Sequence, residues 1–182
     1  MGQAPELPFS DNTHALAQIV IEGLTAQGRN LALAESCTGG LVAKTLTDIP
    51  GASACFLLSA VTYANEAKRD LLGVSEKILE DHGAVSAPCA TAMAEGLRRI
   101  SSADLALSIT GIAGPGGGSE DKPIGTVYFG LNQKSGTRVH HHVFPSQDRS
   151  TIRAMACHMA LTLIQETLFE NPRAGMNPAP TS

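Results

Sequence analysis

The sequence predicts an α/β fold, a three-layer α/β/α sandwich around a mixed sheet of parallel and antiparallel strands. Short apolar runs, typical of buried strands, alternate with segments whose apolar residues recur at helical spacing. Two predicted strands, at 125–131 and 137–144, are separated by a short turn, and this spacing is typical of an antiparallel hairpin. At 182 residues the chain is most simply one domain.

The first half of the chain is predicted to open with a helix over residues 12–27, where apolar side chains recur at helical spacing and Gly28 provides a stop. Asn65 is the expected N-cap of one short helix, and Ser75 is expected to start another. The remaining elements predicted in this half are a strand at 31–34, a helix at 39–47, a strand at 56–63 and the short helices at 65–72 and 75–82.

The second half is predicted to contain a helix, a buried strand, a glycine-rich segment, the hairpin and a final helix. Ser86 stands before Ala87 and Pro88, a typical helix start, because proline is tolerated in the first turn. The predicted positions are 87–100 for the first helix, 104–110 for the buried strand, 111–118 for the glycine-rich segment and 148–169 for the last helix.

Both ends of the chain are expected to be disordered tails that flank the domain at 11–170. Residues 1–10 carry two prolines and residues 171–182 carry three. Neither segment has enough apolar side chains to bury much surface.

Composition excludes several classes of function. The net charge of −4 argues against nucleic acid as a partner, because phosphate backbones are held by clustered lysine and arginine. No apolar stretch approaches the roughly 18–20 residues that span a bilayer, and the N-terminus does not resemble a signal peptide. The four cysteines form no C-x-x-C pair, so neither a disulfide framework nor a zinc site is expected. These features fit a protein of the reducing cytoplasm.

A predicted strand, a tight turn and a predicted helix meet at residues 34–40, Ala-Glu-Ser-Cys-Thr-Gly-Gly. This arrangement can hold a nucleophile at a helix N-terminus, among converging backbone N–H groups. Ser36 and Cys37 are both candidate nucleophiles. The alternative is purely structural, with Ser36 or Thr38 serving as the N-cap of the helix.

Two glycines follow in the predicted first turn of that helix. Gly39 and Gly40 would each cost about 1 kcal/mol relative to alanine in a helix. They are explained if a ligand or a developing oxyanion approaches the backbone closely. Backbone N–H groups near Thr38–Gly40 are therefore the predicted oxyanion donors.

A second motif, Thr-Tyr-Ala-Asn-Glu-Ala-Lys, covers residues 62–68. It places Lys68 in the first turn of a helix, where the positive end of the helix dipole disfavours a cation. The ordinary expectation is a solvated lysine. The alternative is that the helix end and burial lower the pKa of the amine, so that it can act as general base for a serine hydroxyl. Tyr63 could then orient the amine or relay a proton.

A third motif is the glycine-rich loop after the strand at 104–110, with five glycines in the eight positions 111–118. It is neither a Walker A loop nor a G-x-G-x-x-G fingerprint. A flexible surface turn would need fewer glycines, which favours a backbone cradle for an anion or substrate. The residues predicted to line the pocket are Thr110, Gly111, Gly114, Gly116 and Gly117.

Two arginines open the last helix. Arg149 and Arg153 are one helical turn apart and could clamp a phosphate or carboxylate, although a solvated charged face is an equally good interpretation. The run His140–His142 lies in a predicted strand, where neighbouring side chains alternate between faces and no carboxylate or cysteine ligand is near. No metal site is therefore predicted there.

These motifs, in this order, resemble the C-terminal domain of the competence/damage-inducible protein CinA and its stand-alone relatives, the nicotinamide-nucleotide amidohydrolases of the PncC type. The resemblance covers about residues 12–168. The further segments that carry it are Leu-Gly-Val at 72–74, His-Gly-Ala-Val-Ser at 82–86, Lys-Pro-Ile-Gly-Thr-Val at 122–127 and Asp-Arg at 148–149.

The resemblance implies deamidation of nicotinamide mononucleotide to nicotinate mononucleotide and ammonia, without a cofactor or metal ion. It assigns Ser36 as the nucleophile, Lys68 as its base and Tyr63 as an active-site tyrosine. Arg149 falls on an arginine expected to help hold the nucleotide, and Thr110 and the loop after it are expected to line the pocket. A homo-oligomer, taken as a dimer, is also implied.

One residue departs from the family pattern, since Gln147 stands where a glycine is usual before Asp148 and Arg149. The molybdopterin-binding-like domain that precedes this domain in full-length CinA proteins is not expected in this chain. Two other interpretations stay open: catalysis by Cys37 through a thiolate, and a non-catalytic module that uses the same loops only to bind a nucleotide.

Overall fold

A computed structural model describes residues 10–145 and 148–170. Its elements alternate as the sequence predicts, with a single 3₁₀ turn at Ala52–Ala54 in addition. In chain order they are α1 (Ser10–Ala26), β1 (Leu31–Glu35), α2 (Leu41–Thr47), β2 (Phe56–Val61), α3 (Asn65–Leu72), α4 (Glu76–His82), α5 (Ala87–Ser101), β3 (Leu105–Gly111), β4 (Thr126–Gln133), β5 (Gly136–Val143) and α6 (Arg149–Phe169).

The five strands form one mixed sheet in the order β2-β1-β3-β4-β5. β1 is parallel to both β2 and β3, whereas β4 is antiparallel to β3 and to β5. The predicted hairpin is therefore confirmed, and the central strand β1 is the one that leads into the motif at 34–40. The carboxyl ends of β1, β2 and β3 meet at one edge of the sheet, where α/β proteins bind their ligands.

Helices cover both faces of the sheet, which confirms the three-layer prediction. On one face, α1, α2 and α6 pack against Leu31 and Leu33 of β1 and enclose the larger core. On the other face, α3, α4 and α5 pack against Ala32 and Ala34 in a smaller core. Because strand side chains alternate between faces, the five fully buried positions of β1 serve both cores.

The helix starts predicted at Ser75 and Ser86 are confirmed, and the cap predicted at Asn65 is wrong. The hydroxyls of Ser75 and Ser86 accept hydrogen bonds from the amides of residues 78 and 89, as N-caps do. Asn65 is not a cap: it is the first residue of α3, and Ala64 precedes it without any side-chain cap.

Two of the boundaries that differ from the prediction lie next to the strand ends. The strand β2 ends at Val61 rather than at Tyr63. The helix α2 begins at Leu41 rather than at residue 39, because Gly39 and Gly40 have φ of +58° and +92°, outside the right-handed helical region. All four cysteines are free thiols and buried.

Several earlier expectations lie outside the described residues. The predicted tails at 1–10 and 171–182 lie outside the described residues, except for Ser10, which begins α1. Gln147, which departs from the family pattern, also lies outside them. Within the described ranges, no helix is both long enough and apolar enough to cross a membrane.

We predict that Gly96→Ala destabilises the fold. Gly96 lies on α5, and a Cβ there would sit 1.8 Å from the carbonyl oxygen of Leu72 at the end of α3. Separating the two helices should lower the free energy of unfolding by about 1–3 kcal/mol, even though alanine favours a helix by about 1 kcal/mol. Urea unfolding measures this.

Gly116→Ala is the matched control, because a Cβ at Gly116 meets no atom within 4 Å. Its free energy of unfolding should stay within about 0.5 kcal/mol of the wild type. Equal stability of the Gly96→Ala and Gly116→Ala proteins would contradict the close helix contact.

Candidate active site

Ser36 lies in the turn directly after the central strand β1. Its amide donates to the carbonyl of Ile109 at 2.9 Å, which ties the turn to the neighbouring strand β3. The side chain continues the strand alternation, so that Ser36 follows Ala32 and Ala34 on the face covered by α3 and α5. Only 8% of Ser36 is exposed, so its hydroxyl belongs to a sheltered site.

Lys68 reaches Ser36 from the helix α3. Its Nζ lies 3.2 Å from Ser36 Oγ and also donates to the backbone carbonyls of Thr62 at 2.9 Å and Tyr63 at 3.1 Å. The residue is 1% exposed. The solvated lysine considered above is therefore wrong, and the amine is held inside the protein beside the serine.

Burial lowers the pKa of the Lys68 amine below its ordinary value of 10.5. The nearby Cys89 and Cys37 would raise that pKa only as thiolates. Burial raises the pKa of the Cys37 thiol to about 12 and that of Cys89 to about 11, so both thiols are neutral near pH 7. Glu66 on the same helix also raises the pKa of the amine, and desolvation outweighs it.

The geometry around Nζ accommodates both protonation states of the amine. An ammonium has three hydrogens and can donate one each to the carbonyls of Thr62 and Tyr63 and to the hydroxyl oxygen of Ser36, whereas a neutral amine has two hydrogens and one lone pair. In the neutral amine the two carbonyls accept the two hydrogens, which leaves the lone pair for the hydroxyl hydrogen of Ser36. The arrangement can therefore take a proton from Ser36.

Tyr63 takes part through two different groups. Its backbone carbonyl orients Lys68, but its phenol hydroxyl accepts a hydrogen bond from Arg149 at 2.7 Å. The guanidinium of Arg149 also donates to the carbonyl of Gly114 at 2.8 Å. Within the described ranges the Tyr63 hydroxyl contacts neither Lys68 nor Ser36, so the side chain that was expected to orient the amine is aimed at Arg149 instead.

A cavity of about 220 Å³ opens beside these groups. Predicted site residues that line it are Ser36, Tyr63, Lys68, Thr110, Gly111 and Arg149. Thr110 also donates through its hydroxyl to the carbonyl of Ala84 at 2.7 Å, which fixes the segment at 84–85 as another wall. The predicted core of the site thus converges from four separate parts of the chain.

Sequence reasoning missed Asn65 as a cavity residue, because an asparagine before a helix indicates a cap. Asn65 is one of the residues that line the cavity. Ala84, Val85 and Ala113 line it as well, and small apolar residues give no chemical signal in a sequence. The only signal for them was their position inside the motifs at 82–86 and 110–118.

The glycine-rich loop is only partly in the site. Gly116 and Gly117 line a second cavity of about 510 Å³ that shares no lining residue with the first. Gly114 lines neither cavity and contributes its carbonyl to Arg149. The single cradle expected from 111–118 is therefore divided.

The predicted N-caps and oxyanion donors of the turn need correction. Gly40 is the N-cap of α2 and receives no side-chain cap, so neither Ser36 nor Thr38 has that role. The amide of Gly39 donates to the carbonyl of Ser36, and the amide of Gly40 donates to the carboxylate of Glu35. Both glycine amides are thus occupied and unavailable to an oxyanion.

Two amides of the turn have no oxygen acceptor. Within the described ranges, the N–H groups of Cys37 and Thr38 donate to no backbone or side-chain oxygen, and both lie beside the sulfur of Cys37, whose pKa they lower. The carbonyl of Thr38 accepts from Arg153 at 2.7 Å, which holds the peptide unit that follows these amides. The amide after the nucleophile is the usual oxyanion donor at a strand–turn–helix elbow.

Arg149 and Arg153 do not form the clamp considered above. Arg149 donates to Tyr63 and to the 111–118 loop, whereas Arg153 donates to the carbonyl of Thr38 in the turn.

Two histidines of β5 stack on aromatic rings, His141 on Tyr128 and His142 on Phe144. Among the described residues, no group of three or more histidine, cysteine or acidic side chains is arranged to hold a metal ion.

Comparison with known proteins assigns the chain to a family. The model of the CinA C-terminal domain matches residues 13–168. A CinA-like protein of Geobacter sulfurreducens is 52% identical over 143 residues, which are 79% of this chain and 34% of that protein. A CinA-like protein of Syntrophotalea carbinolica is 50% identical over 160 residues, 88% of this chain and 39% of that protein. The chain thus spans well under half the length of these curated relatives.

Solved structures agree with this assignment. A competence-damaged protein (CinA) superfamily protein of Klebsiella pneumoniae superposes with a TM-score of 0.83 at 37% identity, covering 86% of this chain and 98% of that one. The competence/damage inducible protein CihA of Agrobacterium tumefaciens superposes with a TM-score of 0.82 at 40% identity, covering 93% and 100%. The chain belongs to the CinA C-terminal domain family.

Proposed function

We propose that this domain is an amidohydrolase that converts nicotinamide mononucleotide to nicotinate mononucleotide and ammonia through a serine–lysine mechanism. The observation that carries the proposal is the buried amine of Lys68, 3.2 Å from the hydroxyl of Ser36. A module that only binds a nucleotide has no need of a desolvated base beside a serine. The pyridine amide as substrate comes from the family resemblance.

The first half of the reaction forms an ester. Neutral Lys68 accepts the hydroxyl proton of Ser36 as Oγ attacks the carboxamide carbon. The amides of Cys37 and Thr38 donate to the resulting oxyanion, an interaction typically worth about 3–4 kcal/mol per donor. Protonated Lys68 then returns the proton to the leaving nitrogen, ammonia departs and a nicotinoyl ester of Ser36 is left.

The second half hydrolyses that ester. Lys68, neutral again, takes a proton from a water molecule that attacks the ester carbonyl. The tetrahedral intermediate uses the same two amides. Its collapse breaks the bond to Oγ, and Lys68 returns the proton to Ser36, which releases the carboxylate product.

The size of the cavity suits the ring end of the substrate. At about 220 Å³ it is smaller than the roughly 300–1,000 Å³ of pockets that enclose whole ligands. The pyridine carboxamide would enter toward Ser36, and the ribose and phosphate would lie at the mouth. Arg149 lines the same cavity, and its guanidinium could donate to the phosphate in place of its hydrogen bonds to Tyr63 and Gly114.

We predict that Ser36→Ala lowers kcat for ammonia release from nicotinamide mononucleotide by about 10³-fold or more, because it removes the nucleophile. Cys37→Ala is the matched neighbour. It should retain kcat within about threefold, since the pKa of the Cys37 thiol, about 12, leaves almost no thiolate at neutral pH. Full activity of Ser36→Ala together with an inactive Cys37→Ala would transfer the nucleophile to Cys37.

We predict that kcat/KM rises with pH through the pKa of Lys68 and then levels off. The base acts only when neutral, and its pKa is shifted downward, so the rise lies below pH 10.5.

Lys68→Arg keeps a permanent charge and should lose about 10³-fold or more in kcat at every pH. Ammonia release measured across pH tests both proteins. Wild-type release no greater than that of Lys68→Ala would favour the binding module.

We predict that Arg149→Ala raises KM for nicotinamide mononucleotide by about 10- to 100-fold, the effect of losing a charge-assisted hydrogen bond to a phosphate. Nicotinamide riboside, which has no phosphate, is the control substrate. Its KM should change by less than about threefold, because it has no phosphate for Arg149 to bind. A general disturbance of Tyr63 or Gly114 would instead raise KM for both substrates. Equal losses for the two substrates would remove Arg149 from phosphate binding.

A further inference from the structure

Glu35 is a buried acid that has no part in the mechanism above. It ends β1 and is 0% exposed. Its carboxylate accepts three backbone hydrogen bonds, from Gly40 at 2.9 Å, Val42 at 3.2 Å and Ala43 at 2.9 Å. It forms no ion pair within the described ranges. A buried carboxylate is costly, so these three amides are what makes it tolerable.

The carboxylate does the work that a cap residue usually does. The first amides of a helix have no acceptor within the helix, and a side chain at the N-cap commonly supplies one. Here the N-cap is Gly40, which has no side chain, and the acceptor comes from the preceding strand. Glu35 thereby fastens the start of α2 to the end of β1 and closes the turn between them into a short ring.

Strand alternation links this fastening to the nucleophile. Leu33 and Glu35 point to the face covered by α2, where the larger core lies and where Glu35 meets the helix. Ser36 points to the opposite face, toward Lys68 on α3. Two adjacent residues are thus anchored on opposite faces of the sheet, and rotation of the Ser36 peptide would break the contacts of Glu35.

The geometry points to Glu35 as the positioning residue of the nucleophile turn: its carboxylate, bound to the amides of Gly40, Val42 and Ala43, holds the turn in the form in which Ser36, and not Cys37, faces Lys68. This inference rests on the proposed function for its kinetic test only. Glu35 touches neither the reacting atoms nor the cavity, so it acts through Ser36.

The same carboxylate affects the neighbouring thiol. Burial is the main cause of the raised pKa of Cys37, and the negative charge of Glu35 raises that pKa as well. Glu35 therefore suppresses the thiolate in the same turn in which it orients the hydroxyl. The two effects act in the same direction, toward Ser36 as the reacting group.

The kinetic test is Glu35→Gln, which keeps the length of the side chain. The amide NH₂ group can accept no hydrogen bond, so one or more of the three backbone donors loses its acceptor and the turn shifts. We expect kcat for ammonia release from nicotinamide mononucleotide to fall about 100-fold, as misplacement by about 1 Å can cause. KM should stay within about threefold, because the cavity walls and Arg149 are intact.

Ser59→Ala is the matched control. Its hydroxyl lies 3.5 Å from the same carboxylate, at the limit of a hydrogen bond, and it supports none of the three amides. Its kcat should stay within about twofold of the wild type. A folded Glu35→Gln protein with unchanged kcat would overturn the proposal. A rise in KM that accompanies the fall in kcat would overturn it too, because a merely structural role predicts that result.

A second readout does not depend on the substrate. Ser36 is labelled with a fluorophosphonate and Cys37 with iodoacetamide in both proteins. In Glu35→Gln we expect labelling of Ser36 to slow by about the same factor as kcat and labelling of Cys37 to become faster. Wild-type protein that reacts with the fluorophosphonate but releases no ammonia would refute the proposed substrate while leaving the test of Glu35 intact.

A third measurement uses only the wild-type chain, in case Glu35→Gln does not fold. First-turn amides of a helix usually exchange their hydrogens quickly, since they have no acceptor. Hydrogen exchange at Gly40, Val42 and Ala43 should instead be slower than at Cys37 and Thr38. Exchange at Gly40 as fast as at Thr38 would show that the carboxylate does not hold the turn, and would overturn the proposal.

Discussion

The burial of the Lys68 amine is the constraint on which this site depends. Water would stabilise the charged form of Lys68, and burial removes that water, which lowers its pKa. The carbonyls of Thr62 and Tyr63 prevent the amine from being an unpaired buried polar group. They also fix its direction, so the desolvation that lowers the pKa of Lys68 is coupled to the geometry that aims the amine at Ser36.

That enclosure is a product of helix packing rather than of α3 itself. α3 has eight residues and could not exclude water alone. α5 closes over it because Gly96 lets the two backbones approach, and Arg99 donates to the carbonyl of Leu72 at 3.0 Å. Leu72 and Leu97 belong to the smaller core on this face of the sheet. The packing of the two helices therefore contributes to the burial that lowers the pKa of Lys68.

The central strand β1 separates two buried titratable groups. Glu35, an acid, lies on the α2 face, where backbone amides satisfy it. Lys68 lies on the α3 face beside Ser36. Because the sheet stands between them, the two groups form no ion pair within the described ranges, and Glu35 does not oppose the lowered pKa of Lys68.

What the sequence by itself determined is the set of elements and the candidate residues of the site. Helical and strand spacing, and caps such as Ser75 and Ser86, depend on neighbours within one turn, so they are visible in a single sequence. Ser36 and Lys68 stood out because a serine in a strand–helix turn and a lysine at a helix start have local chemical consequences. Only the tertiary structure decided which groups meet after packing. Tyr63 accepts a hydrogen bond from Arg149, 86 positions away, and the carboxylate of Glu35 accepts one from the amide of Gly40. Gly116 and Gly117 line a cavity separate from the one beside Ser36. Such pairings depend on how faces and loops meet after packing, and no local preference of the chain encodes them.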